Sequence, residues 1–103
     1  MKELLTDAVN NNRITWQRHA FQRMLERDIS RFDVKRVLID GEIIEEYKND
    51  LPFPSYLILG FINKNKPLHV VTALDKKSGW CYIITAYRPD LSHFKADYKT
   101  RKK

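Results

Sequence analysis

The apolar positions change their period once along the chain, near residue 41. Before it they recur at helical spacing; after it they alternate or run continuously, as strands do. Leu4, Leu5, Ala8 and Val9 share one face of a helix over residues 2–10. Asn10-Asn11-Asn12 ends it, because asparagine side chains compete for backbone hydrogen bonds. Arg13-Ile14-Thr15-Trp16 is short, β-branched and aromatic, and reads as an extended entry to a second helix over about 17–27. In that helix Ala20, Phe21, Met24 and Leu25 fall on one arc, while His19, Arg23 and Arg27 step along the other at i, i+4 and i+8. Ser30 with Asp33 approximates a capping box for a third helix over about 31–39. Its apolar residues are Phe32, Val34, Val37 and Leu38, and Asp40-Gly41 closes it.

From Glu42 the period is two. Residues 42–47 carry enough charge to predict an edge strand. Pro52 and Pro54 forbid a central strand and place a loop at 49–54. Residues 55–62 form a near-continuous apolar run, hence a strand buried on both faces. Two more strands follow at 68–74 and 80–87, with polar turns at 63–66 and 75–79, which favours an antiparallel meander. The remainder, from about residue 91 to 103, reads as a partly helical tail. The expected architecture is α+β: one domain over 1–103, with N-terminal helices packed on a small four-stranded antiparallel sheet.

Composition narrows the class. The chain has 103 residues, enough for one modest core; 43% hydrophobic content excludes disorder, and 31% charged content argues against a membrane protein. The N-terminus lacks the apolar stretch of a signal peptide, and one cysteine, Cys81, cannot form an internal disulfide, so a cytoplasmic location is expected. A net charge of +6 suits nucleic acid, an acidic protein partner, or both.

Candidate chemistry lies in three places. The first is the row His19, Arg23, Arg27, which suits phosphate; its plain alternative is a solvated face with arginines paired to Glu26 or Asp28. The second is His69, inside an apolar strand where Leu68, Val70, Thr72 and Leu74 share one face and His69, Val71 and Ala73 the other; its alternative is a buried histidine bonded to backbone. The third is Tyr87-Arg88 at a strand end, either a site rim or a surface aromatic and charge. No carboxylate pair, ligand-spaced His/Cys set or Gly-rich phosphate loop is present, so no metal and no cofactor is expected. Histidine, arginine and tyrosine together match metal-free RNA cleavage, which needs a base for the 2′-hydroxyl, cations for the phosphorane and an acid for the leaving oxygen.

The motif order resembles the domain of unknown function 4258 family, placed in the wider RelE/ParE- and BrnT-like toxin superfamily. The matching pieces are His19-x-x-x-Arg23-Met24-x-Glu26-Arg27-x-Ile29, Asp33-Val34, Gly41-Glu42-Ile43-Ile44-Glu45-x-Tyr47, Pro54-Ser55-x-Leu57, Leu59-Gly60, Leu68-His69-Val70-Val71, and Tyr82-Ile83-Ile84-Thr85-Ala86-Tyr87-x-Pro89. The resemblance implies helices on a small antiparallel sheet and a toxin of a two-component toxin–antitoxin system. Its partner would be an acidic antitoxin, often of zinc-ribbon and helix-turn-helix type. Activity in the superfamily is commonly mRNA cleavage, in places on the ribosome, whereas ParE-like members act on DNA gyrase. The expectation is therefore a ribonuclease toxin. His19, Arg23, Arg27, His69 and Tyr87 are its candidate catalytic residues, and Arg18, Arg88, Lys95 and Lys99 its RNA contacts. The alternative is a non-catalytic toxin or binding module of the same fold.

Overall fold

Leu5 and Ala8 of the first helix, Ala20 and Met24 of the second, and Val34, Val37 and Leu38 of the third are buried together against one face of a sheet. The computed structural model describes residues 1–102. Its elements are helices α1 (Lys2–Asn10), α2 (Arg18–Glu26) and α3 (Arg31–Asp40), and strands β1 (Ile14–Trp16), β2 (Glu42–Tyr47), β3 (Ser55–Ile62), β4 (Lys66–Asp75) and β5 (Trp80–Tyr87). The class is α+β, as the pattern predicts.

The sheet has five strands in the order β1-β5-β4-β3-β2. β2 to β5 form the expected antiparallel meander, and β2 is an edge. The fifth strand corrects the expected four: Ile14–Trp16 pairs parallel with Cys81–Ile83, which makes the sheet mixed. Three residues show no periodicity of their own; β1 is a strand because β5 offers it an edge.

Packing follows alternation. Tyr56, Ile58 and Ile62 of β3, Leu68, Val70 and Leu74 of β4, and Cys81, Ile83 and Ala86 of β5 face the helices and complete the core. The α3 helix lies over β3 and β4, α2 against β5, and α1 against α3. The Ser30 capping box forms, with the Asp33 amide donating to the Ser30 hydroxyl at 3.0 Å. Two glycines let α3 and the sheet approach. A Cβ on Gly60 would stand 2.7 Å from Val37 Cγ2, and one on Gly41 would meet the Leu59 carbonyl oxygen at 2.8 Å. Gly41 has φ −78°, so it closes α3 through lack of bulk rather than through a left-handed turn.

The tail contains turns and one bridge, Phe94 to Arg101, and no helix over residues 91–102. This corrects the partly helical expectation. Asp90 accepts from the Ser92 and His93 amides, and Asp97 from those of Lys99 and Thr100, so each aspartate turns the chain instead of starting a helix. Lys103 lies outside the described residues.

Candidate functional site

The α2 helix buries Ala20 and Met24 and leaves Arg18, His19, Gln22 and Arg23 exposed. Leu25, expected on its apolar arc, is 65% exposed. Arg23 makes only a loose pair with Glu26, at 3.7 Å with both side chains about half exposed. Arg18, His19 and Arg23 therefore present one imidazole between two guanidiniums to solvent.

Arg27, the third of the expected row, turns away from that face. It is the residue that ends α2, and its guanidinium donates to the Ala86 carbonyl oxygen at 2.9 Å and to Thr85 Oγ1 at 3.4 Å. Because β1 pairs only with Cys81–Ile83, the outer edge of β5 beyond them lacks a strand, and Arg27 occupies it. Arg88 answers from the other side, donating to the carbonyl oxygens of Arg27 and of Asp28, the latter at 3.0 Å. These two arginines brace α2 to β5.

His69 lies on the other face of the sheet. Leu68 and Val70 enter the helix-side core, so His69 between them points away from it. It is fully buried, with Nδ1 3.1 Å from the Tyr87 hydroxyl and Nε2 2.8 Å from the Tyr98 carbonyl oxygen. A carbonyl only accepts, so Nε2 carries the proton and Tyr87 donates to Nδ1. The Phe94 ring closes on His69 edge-on, at 4.7 Å between centroids. Burial holds the His69 pKa below its ordinary value, opposed by the bond to Tyr98, and burial raises that of Tyr87. This is the buried, backbone-bonded alternative. The five residues His19, Arg23, Arg27, His69 and Tyr87 do not meet in one cluster: the sheet separates the pair His69–Tyr87 from the exposed face of α2.

The tail that covers His69 is strapped to β2. Arg101 holds Glu45 through two contacts of 2.8 and 3.0 Å and lies over Phe94, and Lys99 pairs with Glu42 at 2.9 Å. The Arg101 guanidinium lowers the Glu45 pKa. Of the expected RNA contacts, Arg18 and Lys95 are exposed, Lys99 is spent on Glu42 and Arg88 on backbone.

The same face is open at its other end. Cross-strand neighbours Ser55, Ala73 and Tyr82 form a trough there, because two of the three are small. Phe53 stacks on Tyr82, with ring centroids 5.6 Å apart and 13° between planes. Phe53, Ala73 and Tyr82 enclose, with Gln17, Asp50, Leu51, Pro52 and Ile84, a pocket of about 410 Å³. Ile84 is the extra residue of a bulge, between partners Thr72–Ile83 and Val71–Thr85. Gln17 is the residue before α2, so the pocket opens one residue from Arg18. No spacing in the sequence predicts this pocket; the Asp50-Leu51-Pro52-Phe53-Pro54 stretch signals a loop but not what it walls.

Cys81 is buried, and burial pushes its thiol up to about 11, which leaves no thiolate at neutral pH. Among the described residues no three His, Cys, Asp or Glu side chains are gathered as metal ligands, and no helix is long and apolar enough to cross a membrane.

The family model described as Domain of unknown function (DUF4258) matches residues 16–88. That span runs from the end of β1 to Arg88 and takes in α2, His69, Tyr87 and every residue of the pocket; α1 and the tail lie outside it. No curated protein and no solved structure matches the chain.

Proposed function

The chain belongs to the domain of unknown function 4258 family, and from the geometry of α2 we propose that it is a toxin of a RelE/BrnT-like toxin–antitoxin pair that cleaves RNA without a metal. One observation carries this reading. His19 stands exposed between Arg18 and Arg23 on α2, the helix that begins one residue after the pocket-lining Gln17. In the proposed reaction His19 takes the proton of a 2′-hydroxyl. The O2′–P bond forms, the P–O5′ bond breaks, and the protonated imidazole or water returns a proton to the leaving O5′. Arg18 and Arg23 hold the phosphate and the charge that builds on it. The products are a 2′,3′-cyclic phosphate and a 5′-hydroxyl.

His69 enters this scheme as support, because both its ring nitrogens are bonded and it is buried. An acidic antitoxin is the proposed cellular partner, since a net charge of +6 spread over exposed arginines and lysines favours a cover of opposite sign. The same occupation of His69 favours a second reading. With His19 the one imidazole that α2 carries and His69 committed to its own bonds, the domain would bind RNA or a protein target without cleaving.

The test incubates purified protein with single-stranded RNA in excess chelator. The proposal expects fragments ending in 2′,3′-cyclic phosphate; RNA that stays intact while remaining bound would establish the second reading instead.

A further inference from the structure

We infer that the pocket between the 50–54 loop and β5 is a base-binding site selective for guanine. The inference rests on the proposed RNA reading for the source of the base, but not on cleavage. Three features of the pocket define its ligand. Its walls are the rings of Phe53 and Tyr82 with Leu51, Pro52 and Ile84, which suits a flat apolar face. Leu51 is 90% exposed and Ile84 39% exposed, so both offer apolar surface that the fold does not use. The floor is Ala73, whose small side chain leaves the space between Ser55 and Tyr82 open. A volume of about 410 Å³ lies within the usual range for small-ligand sites.

The polar groups then choose among flat ligands. Ser55, fully buried, donates its hydroxyl to Asp50 Oδ2, and the Asp50 amide is bonded to the Tyr47 carbonyl. The carboxylate at the pocket's rim is thereby held in one orientation, with Oδ1 making no side-chain bond within the described residues. A fixed carboxylate asks for adjacent donors. Guanine alone among the four RNA bases presents two, N1–H and the N2 amine, on its Watson–Crick edge. Adenine and cytosine each pair one donor with an acceptor there, and uracil sets its single donor between two acceptors. Gln17 supplies an amide that can both donate and accept at the other end of the pocket. Arg18 follows Gln17 and Lys48 precedes Asp50 by two residues, both exposed, so cations flank the pocket for a phosphate backbone.

The test titrates the intact protein with the four nucleoside 5′-monophosphates and with UUGUU and UUUUU pentamers, following tryptophan fluorescence from Trp16 and Trp80. GMP is expected to bind about tenfold or more tighter than AMP, CMP or UMP, as loss of a charge-assisted hydrogen bond predicts. UUGUU is expected to bind more tightly than GMP and to lose that advantage with added salt, which separates RNA from free nucleotide as the source. Asp50→Asn, which keeps an acceptor for Ser55, abolishes the preference for guanine; Ala73→Val fills the floor and weakens every base. Both variants are first checked for native circular dichroism. Equal affinity for all four nucleotides, a preference that survives Asp50→Asn, or binding of agmatine in place of GMP would each overturn the inference. Guanine-selective binding without RNA cleavage would leave it standing while the ribonuclease reading fell.

Discussion

Arg27 donates to the Ala86 carbonyl oxygen at 2.9 Å and so finishes the edge of β5 that β1 begins. A residue spaced for phosphate binding is thus committed to the fold. The bond is charge-assisted and partly buried, so Arg27→Ala is expected to lower stability by about 1–3 kcal/mol. Arg27→Lys, a point charge without the planar fork, recovers only part of it. Urea unfolding of the three proteins measures this. An Arg27→Ala variant as stable as the parent would return Arg27 to the list of surface cations.

The pH dependence of stability should report His69. Burial lowers its folded pKa below the ordinary 6.5, so the unfolded chain binds more protons there than the folded one. Stability therefore rises with pH through the interval below about 6.5 and is lost as the solution is acidified across it. Asp90 and Asp97, each held at about 2, keep their charge throughout that interval and contribute nothing to the slope. The urea midpoint is expected to fall between about pH 7 and pH 5. His69→Gln, which retains a donor toward Tyr98, should flatten the fall; an equal slope in both proteins would remove His69 as its cause.

The Glu45–Arg101 pair governs the tail more than the fold. It is surface-exposed on the Arg101 side, where such pairs are worth about 1 kcal/mol or less. Glu45→Gln is accordingly expected to leave global unfolding almost unchanged. Amide exchange over residues 94–101 should become faster, read by mass spectrometry, since Phe94 and Tyr98 are held over His69 by the same segment. Unaltered exchange there would show that the tail is anchored without the Glu45–Arg101 pair, by Phe94, the Tyr98 carbonyl on His69 and the Lys99–Glu42 pair.

Gly60 tests the contact between α3 and β3. An added methyl would stand 2.7 Å from Val37 Cγ2 and 3.2 Å from Val37 Cα, so the helix has to shift. Gly60→Ala is expected to cost about 1–3 kcal/mol by overpacking, and a Val37→Ala background should recover part of the loss. A thermal melt of the single and double variants decides it; additive effects would mean that the two positions do not touch.

What was legible in the sequence was whatever local chemistry dictates. The strands at 55–62 and 80–87 lie within their apolar runs, and Ser30 and Asp33 cap α3 because that pairing needs only four residues. What was not legible depends on remote partners. Ile14–Trp16 is a strand only through β5. Alternation put His69 opposite Leu68 and Val70, but which of the two sheet faces the helices cover is a property of the assembled core. Arg27 and Arg88 looked like surface cations until the end of β5 supplied a carbonyl for Arg27 and the end of α2 supplied carbonyls for Arg88. The pocket needs Gln17, Asp50, Ala73 and Tyr82 from four separate stretches, and no spacing rule connects them.

His19 and its two flanking arginines carry the functional account, and one measurement addresses them most directly. It compares the initial rates of single-stranded RNA cleavage, in chelator, by the parent, His19→Ala and His69→Gln proteins, each confirmed as folded. Removal of a general base is expected to slow cleavage by about 100-fold or more in His19→Ala, while His69→Gln stays within a few-fold of the parent. Cleavage that survives His19→Ala and disappears with His69→Gln would contradict the account and place the chemistry under the tail, on the opposite face of the sheet.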